Sequence, residues 1–368
     1  MLNMNICLIG NGLASLALAK NLINKKIKVF VYHKNKKKQK FQSRTIGISK
    51  NNFNFFNKDI IKFKKNMLWK IKQIEIYLEK YNDEKILNFE KSKEELFSIV
   101  KNNEVYQLLE NNLKKNKLFK KVLIKDNYFY EKILKEKKFD LIINCDGNNQ
   151  ISRNFFYNRI NKSYNSYAYT TIIKHQKINN VKAIQVFTKI GPIAFLPISV
   201  FETSVVFSII NRSEILSENE INNLIRLYNK NYNIKSFGKL EKFELNFSVP
   251  RNYYHNNLMA FGDSLHKIHP LAGQGFNMTL RDIKIFSKII QNRIDLGLSL
   301  DHSIYSEFEK KTKHLNFIFS SSIDFIHEFF KFDNKYKNIY SKNLLKFMGG
   351  NKFLNKLVSK YADQGLVI

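Results

Sequence analysis

The N-terminus of this chain commits it to one class of fold. Asn5 to Ile9 is a short apolar run of strand length, Gly10-Asn11-Gly12 follows at once, Leu13 to Asn24 is rich in leucine and alanine, and Ile27 to Tyr32 is a second apolar run. A strand covered on both faces reads as continuously apolar rather than alternating. Strand, glycine turn, helix and strand in this order make a βαβ unit, and hence a parallel sheet. A Gly-x-Gly turn at the head of the helix brings backbone N–H groups close to a pyrophosphate, and the helix dipole favours the negative charge. Ser15 takes the third position of this fingerprint, where glycine is usual, and is small enough for close packing. The acidic residue expected at the end of the second strand is missing, because His33 follows Tyr32. A neutral imidazole there can accept one hydrogen bond, but it cannot grip two ribose hydroxyls as a carboxylate does. Taken alone, the turn also suits an α/β fold that binds no nucleotide.

Further along, Trp69 to Leu78 and Glu95 to Val100 read as strands and Asn103 to Leu113 as a helix. Phe139 to Cys145 is a third apolar strand, and it ends in Asp146-Gly147. An aspartate at the carboxyl end of a strand lies where open α/β sheets bind ligands, although Asp-Gly is also a common turn. Tyr167 to Lys174, Ala183 to Lys189, Ile193 to Leu196 and Thr203 to Ile210 are β-rich, with no helix between them, which predicts an antiparallel sheet. Ser217 and Glu220 form a capping-box pattern that opens a helix toward Asn231. Phe243 to Val249 is a strand stopped by Pro250, Phe276 to Arg293 is a helix, and the chain is helical from His302 onward.

The densest motif runs from Phe261 to Asn277. Gly262-Asp263 follows the short run Leu258 to Phe261, so the Asp263 carboxylate can reach a sugar-alcohol hydroxyl. Pro270 stiffens the loop, and Gly273 and Gly275 allow backbone to approach a flat ligand. The helix that follows points its N-terminus at that ligand. His266 and His269 do not complete a metal set with any carboxylate at recognisable spacing, and no nucleophile-elbow sequence surrounds Ser264.

The net charge of +31 suggests nucleic acid. Lysine carries nearly all of it, however, whereas phosphate and base recognition favours arginine. Asn, Ile, Phe and Tyr rise together with lysine, a joint bias expected of AT-rich codons, so the charge is read as solvated surface and no nucleic-acid partner is expected. The lysine run Lys34 to Lys40 is read as an exposed loop. Cys7 and Cys145 cannot form a disulfide framework and sit in apolar runs, so buried free thiols in a reducing compartment are expected. There is no signal-peptide pattern, and Pro197 and Glu202 break the longest apolar stretch, so a cytoplasmic protein is expected.

Gly10-x-Gly12, Arg44, Asp146-Gly147, Gly262-Asp263, His269-Pro270 and Gly273-Gln274-Gly275-x-Asn277 occur in the order found in the FAD-dependent aromatic hydroxylases. With Arg44-Thr45-Ile46-Gly47-Ile48-Ser49, Gly191 to Pro197 and Leu280-Arg281-Asp282, the chain most resembles the ubiquinone-biosynthesis hydroxylases of that group. The resemblance spans nearly the whole chain. It implies a Rossmann-like α/β FAD-binding domain with an inserted antiparallel β-sheet substrate domain and C-terminal helices. The corresponding division is 1–64, 101–155 and 251–300 for FAD, 65–100 and 156–250 for substrate, and 301–368 for the C-terminal helical segment.

The activity implied is NAD(P)H reduction of FAD and transfer of one oxygen of O2, through a C4a-hydroperoxyflavin, to the ring of a polyprenylphenol. In this reading Gly10 and Gly12 hold the pyrophosphate, Ser15 completes their fingerprint, His33 stands at the ribose position, and Arg44 neutralises phosphate or closes over the flavin. Asp146 and Gly147 flank the cofactor. Gly262 and Asp263 hold the ribityl–pyrophosphate region, and Pro270 shapes the pocket by the reacting face. Gly273, Gln274, Gly275 and Asn277 present backbone donors to the N1–C2=O edge, and no side-chain base is identified.

A lipid-like substrate gives the segments Phe317 to Phe332 and Leu344 to Tyr361 two readings: helices that cap the core, or helices that rest on the inner membrane face. A complex with other quinone-biosynthesis proteins is a further expectation. Three departures accompany the resemblance: His33, Gln150 where serine is usual, and a short 118–140 stretch that trims a hairpin. Two other functions stay open, a soluble-phenol hydroxylase or flavin reductase, and a non-catalytic flavin-poor scaffold.

Overall fold

The computed structural model describes residues 4–34, 43–79, 84–90, 95–126, 128–210, 216–267 and 274–336. Strands and helices are numbered in chain order. A six-stranded sheet is built around β1 (Asn5–Ile9), with β2 (Lys28–Lys34) and then β8 (Phe119–Ile124) on one side. On the other side lie β9 (Leu141–Asn144), β17 (Leu258–Ala260) and β16 (Tyr254–His255). Every pairing is parallel except β16 with β17. Ile6, Cys7, Leu8 and Ile9 of β1 are buried, as a strand covered on both faces requires. The helix α1 (Leu13–Asn24) starts from Gly12 with no side-chain cap, so the N–H groups of its first turn stay available. Alongside it packs α3 (Asn102–Lys114), which turns Val105, Leu109 and Leu113 inward.

An eight-stranded sheet forms the second layer system. Its order is β14 (Ile234–Phe237), β10 (Arg159–His175), β13 (Glu202–Ile210), β12 (Gly191–Pro197), β11 (Lys182–Thr188), β5 (Gln73–Leu78) and β6 (Glu84–Glu90), and β15 (Glu241–Pro250) also pairs with β10. It is antiparallel, as expected, except where β5 joins β11 in parallel. Helix α6 (Glu218–Tyr228) begins with the predicted capping box of Ser217 and Glu220. Its Ile221 and Ile225 close one face of this sheet over Ile173, Phe195 and Phe207.

A small sheet of β3 (Thr45–Ser49), β7 (Phe97–Lys101) and β4 (Trp69–Ile71) stands between the two, near α2 (Lys50–Phe55). After β17 come α7 (Gln274–Asp295) and α8 (Ser303–Tyr336), which pack together. The connection from β9 to the large sheet carries α5 (Gln150–Phe155), with Asn149 as its N-cap.

One expectation needed revision. Trp69 to Leu78 is not one strand. It breaks at Lys72, whose N–H donates to Val181, so that β4 joins β7 while β5 joins β11. The apolar pattern runs through the break and could not show a change of sheet. In the short 118–140 stretch, β8 leads to helix α4 (Tyr128–Lys135) and then to β9. A helical crossover there suits two parallel strands. The expected lysine loop after Lys34 and the segment Leu344 to Tyr361 lie outside the described residues.

Candidate cofactor site

The glycine motifs that lie far apart in sequence touch one another through their backbones. Gly10 has φ +118°, and a Cβ added there would sit 3.2 Å from the Asp146 nitrogen and 3.3 Å from its Cβ. Gly147 is closed from the other side, where an added Cβ would lie 2.5 Å from the Asp263 carbonyl oxygen. Gly262 has φ +57°, and its Cβ would lie 2.4 Å from that of Ala14 in α1. Side chains at Gly147 and Gly262 would push these segments apart, so only glycine fits. Gly12 is different: its φ is −87°, and an added Cβ would meet nothing within 4 Å. Its open space lies at the N-terminus of α1, where a phosphate would sit.

Side chains then pin the loop that carries Asp263. Asn144, buried at the end of β9, donates to Ser152 Oγ at 2.8 Å and to Ser264 Oγ at 3.2 Å. Its own Oδ1 accepts from Asn149 at 2.7 Å. Phe261 N–H donates to the Asn144 carbonyl at 2.8 Å, and Arg159 donates to the Ser264 carbonyl at 3.0 Å. Asp263 itself is exposed, yet much protein lies around it. Desolvation by that surrounding protein pushes its carboxyl above the usual range, against the opposing charges of Arg44 and His266. Asp146 and Lys267 also act on it electrostatically, so Asp146, Asp263 and Arg44 face one region. The Arg44 guanidinium lies 5.2 Å from the centre of the Phe243 ring on β15, a cation–π contact that reaches from β3 to the large sheet.

Of the other predicted residues, Ser15 is fully buried next to Cys145. Both cysteines are free and buried, as expected, and burial pushes their thiols up. His33 ends β2 half-buried, with Nδ1 3.3 Å from the Lys34 carbonyl, and burial holds its imidazole below the usual range. Gln274 and Gly275 open α7. The Asn277 side chain is fully engaged: Nδ2 donates to the Gly47 carbonyl at 2.7 Å, while Oδ1 accepts from Ser49 N–H at 3.1 Å and from Asn52 at 2.9 Å. It therefore staples the start of α7 to β3 and α2. Pro270 and Gly273 lie outside the described residues, as does His269.

Sequence reasoning missed the partner of His266. This histidine is buried, with Nε2 2.8 Å from Oδ2 of Asp282 on α7, and Arg281 lies 3.7 Å from the other oxygen. Asp282 falls in register with the buried apolar positions Ile283, Phe286, Ile289 and Ile290 of α7, and a carboxylate beside that face was the available signal. Tyr106 and Glu110 on α3 were missed as well. Asn11 of the glycine turn donates to Tyr106 Oη at 2.7 Å. Elsewhere, a surface groove of about 500 Å³ between α3 and residues 61–67 shares no lining residue with this set.

The squalene epoxidase family model matches residues 138–362, more than half of the chain. Among curated proteins, the chain is similar to the mitochondrial ubiquinone biosynthesis monooxygenase COQ6 of Caenorhabditis elegans. The two are 25% identical over 240 residues, covering 52% of this chain and 53% of that protein. The chain spans about half the length, or less, of the curated relatives it matches first. Among solved structures, p-nitrophenol 4-monooxygenase PnpA from Pseudomonas putida superposes with a TM-score of 0.76 at 11% identity, over 99% of both chains. HpxO of Klebsiella pneumoniae, complexed with FAD and uric acid, does so with a TM-score of 0.72 at 11% identity, over 98% of this chain and 97% of its own. At such low identity these two likenesses show the fold.

Proposed function

This chain belongs to the squalene epoxidase family, and from that membership and the geometry above we propose that it is an FAD-dependent monooxygenase that hydroxylates the aromatic ring of a polyprenylphenol in ubiquinone biosynthesis. One observation carries the reading. Gly10, Gly12, Gly147 and Asp263 converge at the carboxyl ends of β1, β9 and β17, where an open α/β sheet binds its ligand.

The residues present fit FAD. Gly12 leaves open space before uncapped N–H groups, and Asn11 has a buried Oδ1 with no hydrogen-bond partner. Both are what a site for a phosphate and its neighbouring hydroxyls supplies. Gly10 and Gly12 admit the pyrophosphate to the N-terminus of α1, and the helix dipole offsets its charge. Asp263 accepts from ribityl hydroxyls, and Arg44 balances phosphate charge. The start of α7, fixed by Asn277, aims backbone donors at the flavin edge that becomes negative on reduction. Bound FAD supplies the redox chemistry, with NAD(P)H as reductant and O2 as co-substrate. The protein's part is to position the substrate and keep water out.

The large sheet supports a flat aromatic substrate. On its face opposite α6, Arg44 approaches the partly exposed Phe243 from the small sheet. The relatives' names point to isoprenoid chemistry, since ubiquinone and squalene both carry isoprenoid units. Contact with a membrane surface would suit such a substrate. Among the described residues no helix is long and apolar enough to cross a membrane.

The test is profiling of quinone intermediates in cells lacking the protein, together with turnover of the purified protein. A prenylphenol lacking one ring hydroxyl should accumulate, and the protein with FAD and NAD(P)H should hydroxylate it. Turnover of soluble phenols alone, or of isoprenoid alkenes alone, would overturn the substrate assignment.

A further inference from the structure

The end of β2 lacks the acidic residue that normally holds ribose hydroxyls in a βαβ nucleotide site. His33 stands there, and its Nδ1 faces the Lys34 carbonyl, which can only accept. The neutral ring then offers one acceptor, Nε2. One strand across, Lys121 of β8 lies in register with Val31, on the same face of the sheet as His33. Helix α3 covers that face and brings two more groups. Tyr106 Oη accepts from Asn11 Nδ2 at 2.7 Å and donates to Glu110 Oε1 at 3.4 Å, and Lys121 Nζ lies 2.5 Å from the same oxygen. A continuous polar chain therefore runs from the glycine turn to the edge of β2. Glu110 and Lys121 both act electrostatically on His33.

A purely structural ion pair would need only Glu110 and Lys121. It gives no reason for a tyrosine hydroxyl to reach the middle residue of the phosphate turn, nor for Asn11 Oδ1 to lie buried without a partner. The second oxygen of Glu110 meets Lys114 at the longer distance of 3.5 Å, and the side chain keeps 13% exposure.

We propose that α3 replaces the missing acid: Glu110, aligned by Tyr106 and Lys121, accepts the hydrogen bonds of the adenosine ribose, and His33 contributes only a secondary acceptor. This rests on the FAD reading above.

The test titrates apoprotein with FAD and, separately, with FMN, which lacks the adenosine half, following flavin fluorescence. Glu110→Gln and Tyr106→Phe should weaken FAD binding by about tenfold or more, because a hydrogen bond to a charged group is lost, and should leave FMN binding unchanged. Adding His33→Glu to Glu110→Gln should restore FAD affinity by placing a carboxylate at the end of β2. FAD and FMN affinities falling together, FAD affinity unchanged in Glu110→Gln, or no rescue by His33→Glu would each overturn the proposal while leaving the FAD reading intact. Wild-type protein that binds neither flavin would overturn both.

Discussion

The two ends of the proposed cofactor site are built by different means. At the proposed pyrophosphate end, glycine backbone presses on its neighbours: Gly10 on Asp146, Gly147 on the Asp263 carbonyl, and Gly262 on the Ala14 methyl. At the proposed adenosine end, side chains of α3 reach across to the glycine turn and to β8. A backbone contact tolerates one residue type and so marks the sequence with glycine. A side-chain contact from a neighbouring helix leaves no such mark, because a tyrosine and a glutamate look like any other helix residues. The first end should therefore fail abruptly on substitution, and the second gradually.

The largest effect is expected at Gly262→Ala. The added methyl meets Ala14 and the backbone is left-handed, so the protein should lose about 2–4 kcal/mol in urea unfolding. An unchanged midpoint would show that the contact between this loop and α1 is slack. Next is Asp263→Asn, in which the exposed carboxylate becomes an amide. FAD affinity should fall about tenfold or more, with the urea midpoint nearly unchanged. An equal loss of stability would mean that Asp263 serves the fold rather than the ligand.

The smallest effect concerns Glu110. Burial acts to raise its carboxyl, but Lys121 and Lys114 outweigh that and hold it below the usual range. A depressed carboxyl contributes stability above its unfolded pKa, and that contribution is lost as pH falls through the folded value. The difference in urea midpoint between wild type and Glu110→Gln, less than about 1 kcal/mol for a partly exposed pair, should thus persist at neutral pH. It should vanish only below the ordinary carboxylate range. A difference that disappears already at the usual glutamate pKa would mean that the lysines do not hold Glu110.

Much of the architecture was legible because it depends on local pattern. The continuous apolar runs of β1 and β9, the capping box at Ser217 and the order of the glycine motifs each report a backbone requirement. The break at Lys72 was hidden because the apolar pattern continues while the chain changes sheets. For Asn277 the sequence pointed only to a backbone role and was silent on the side chain. Its side chain holds α7 to β3 and α2, a set of contacts that no spacing in the motif foretells. The His266–Asp282 pair was invisible because one member lies in a loop and the other a turn and more into a helix, and no spacing rule connects them.

Gly12→Ser tests the central claim, that these motifs converge to hold a dinucleotide, most directly. The new side chain enters open space and can cap α1, so apoprotein stability should stay level or rise slightly. The same hydroxymethyl occupies the phosphate position. Wild-type protein reconstituted with FAD and freed of excess should keep one flavin per chain by visible absorbance, and Gly12→Ser should keep almost none. Wild-type protein without flavin bands, or a Gly12→Ser variant that retains FAD as well as wild type, would contradict the account.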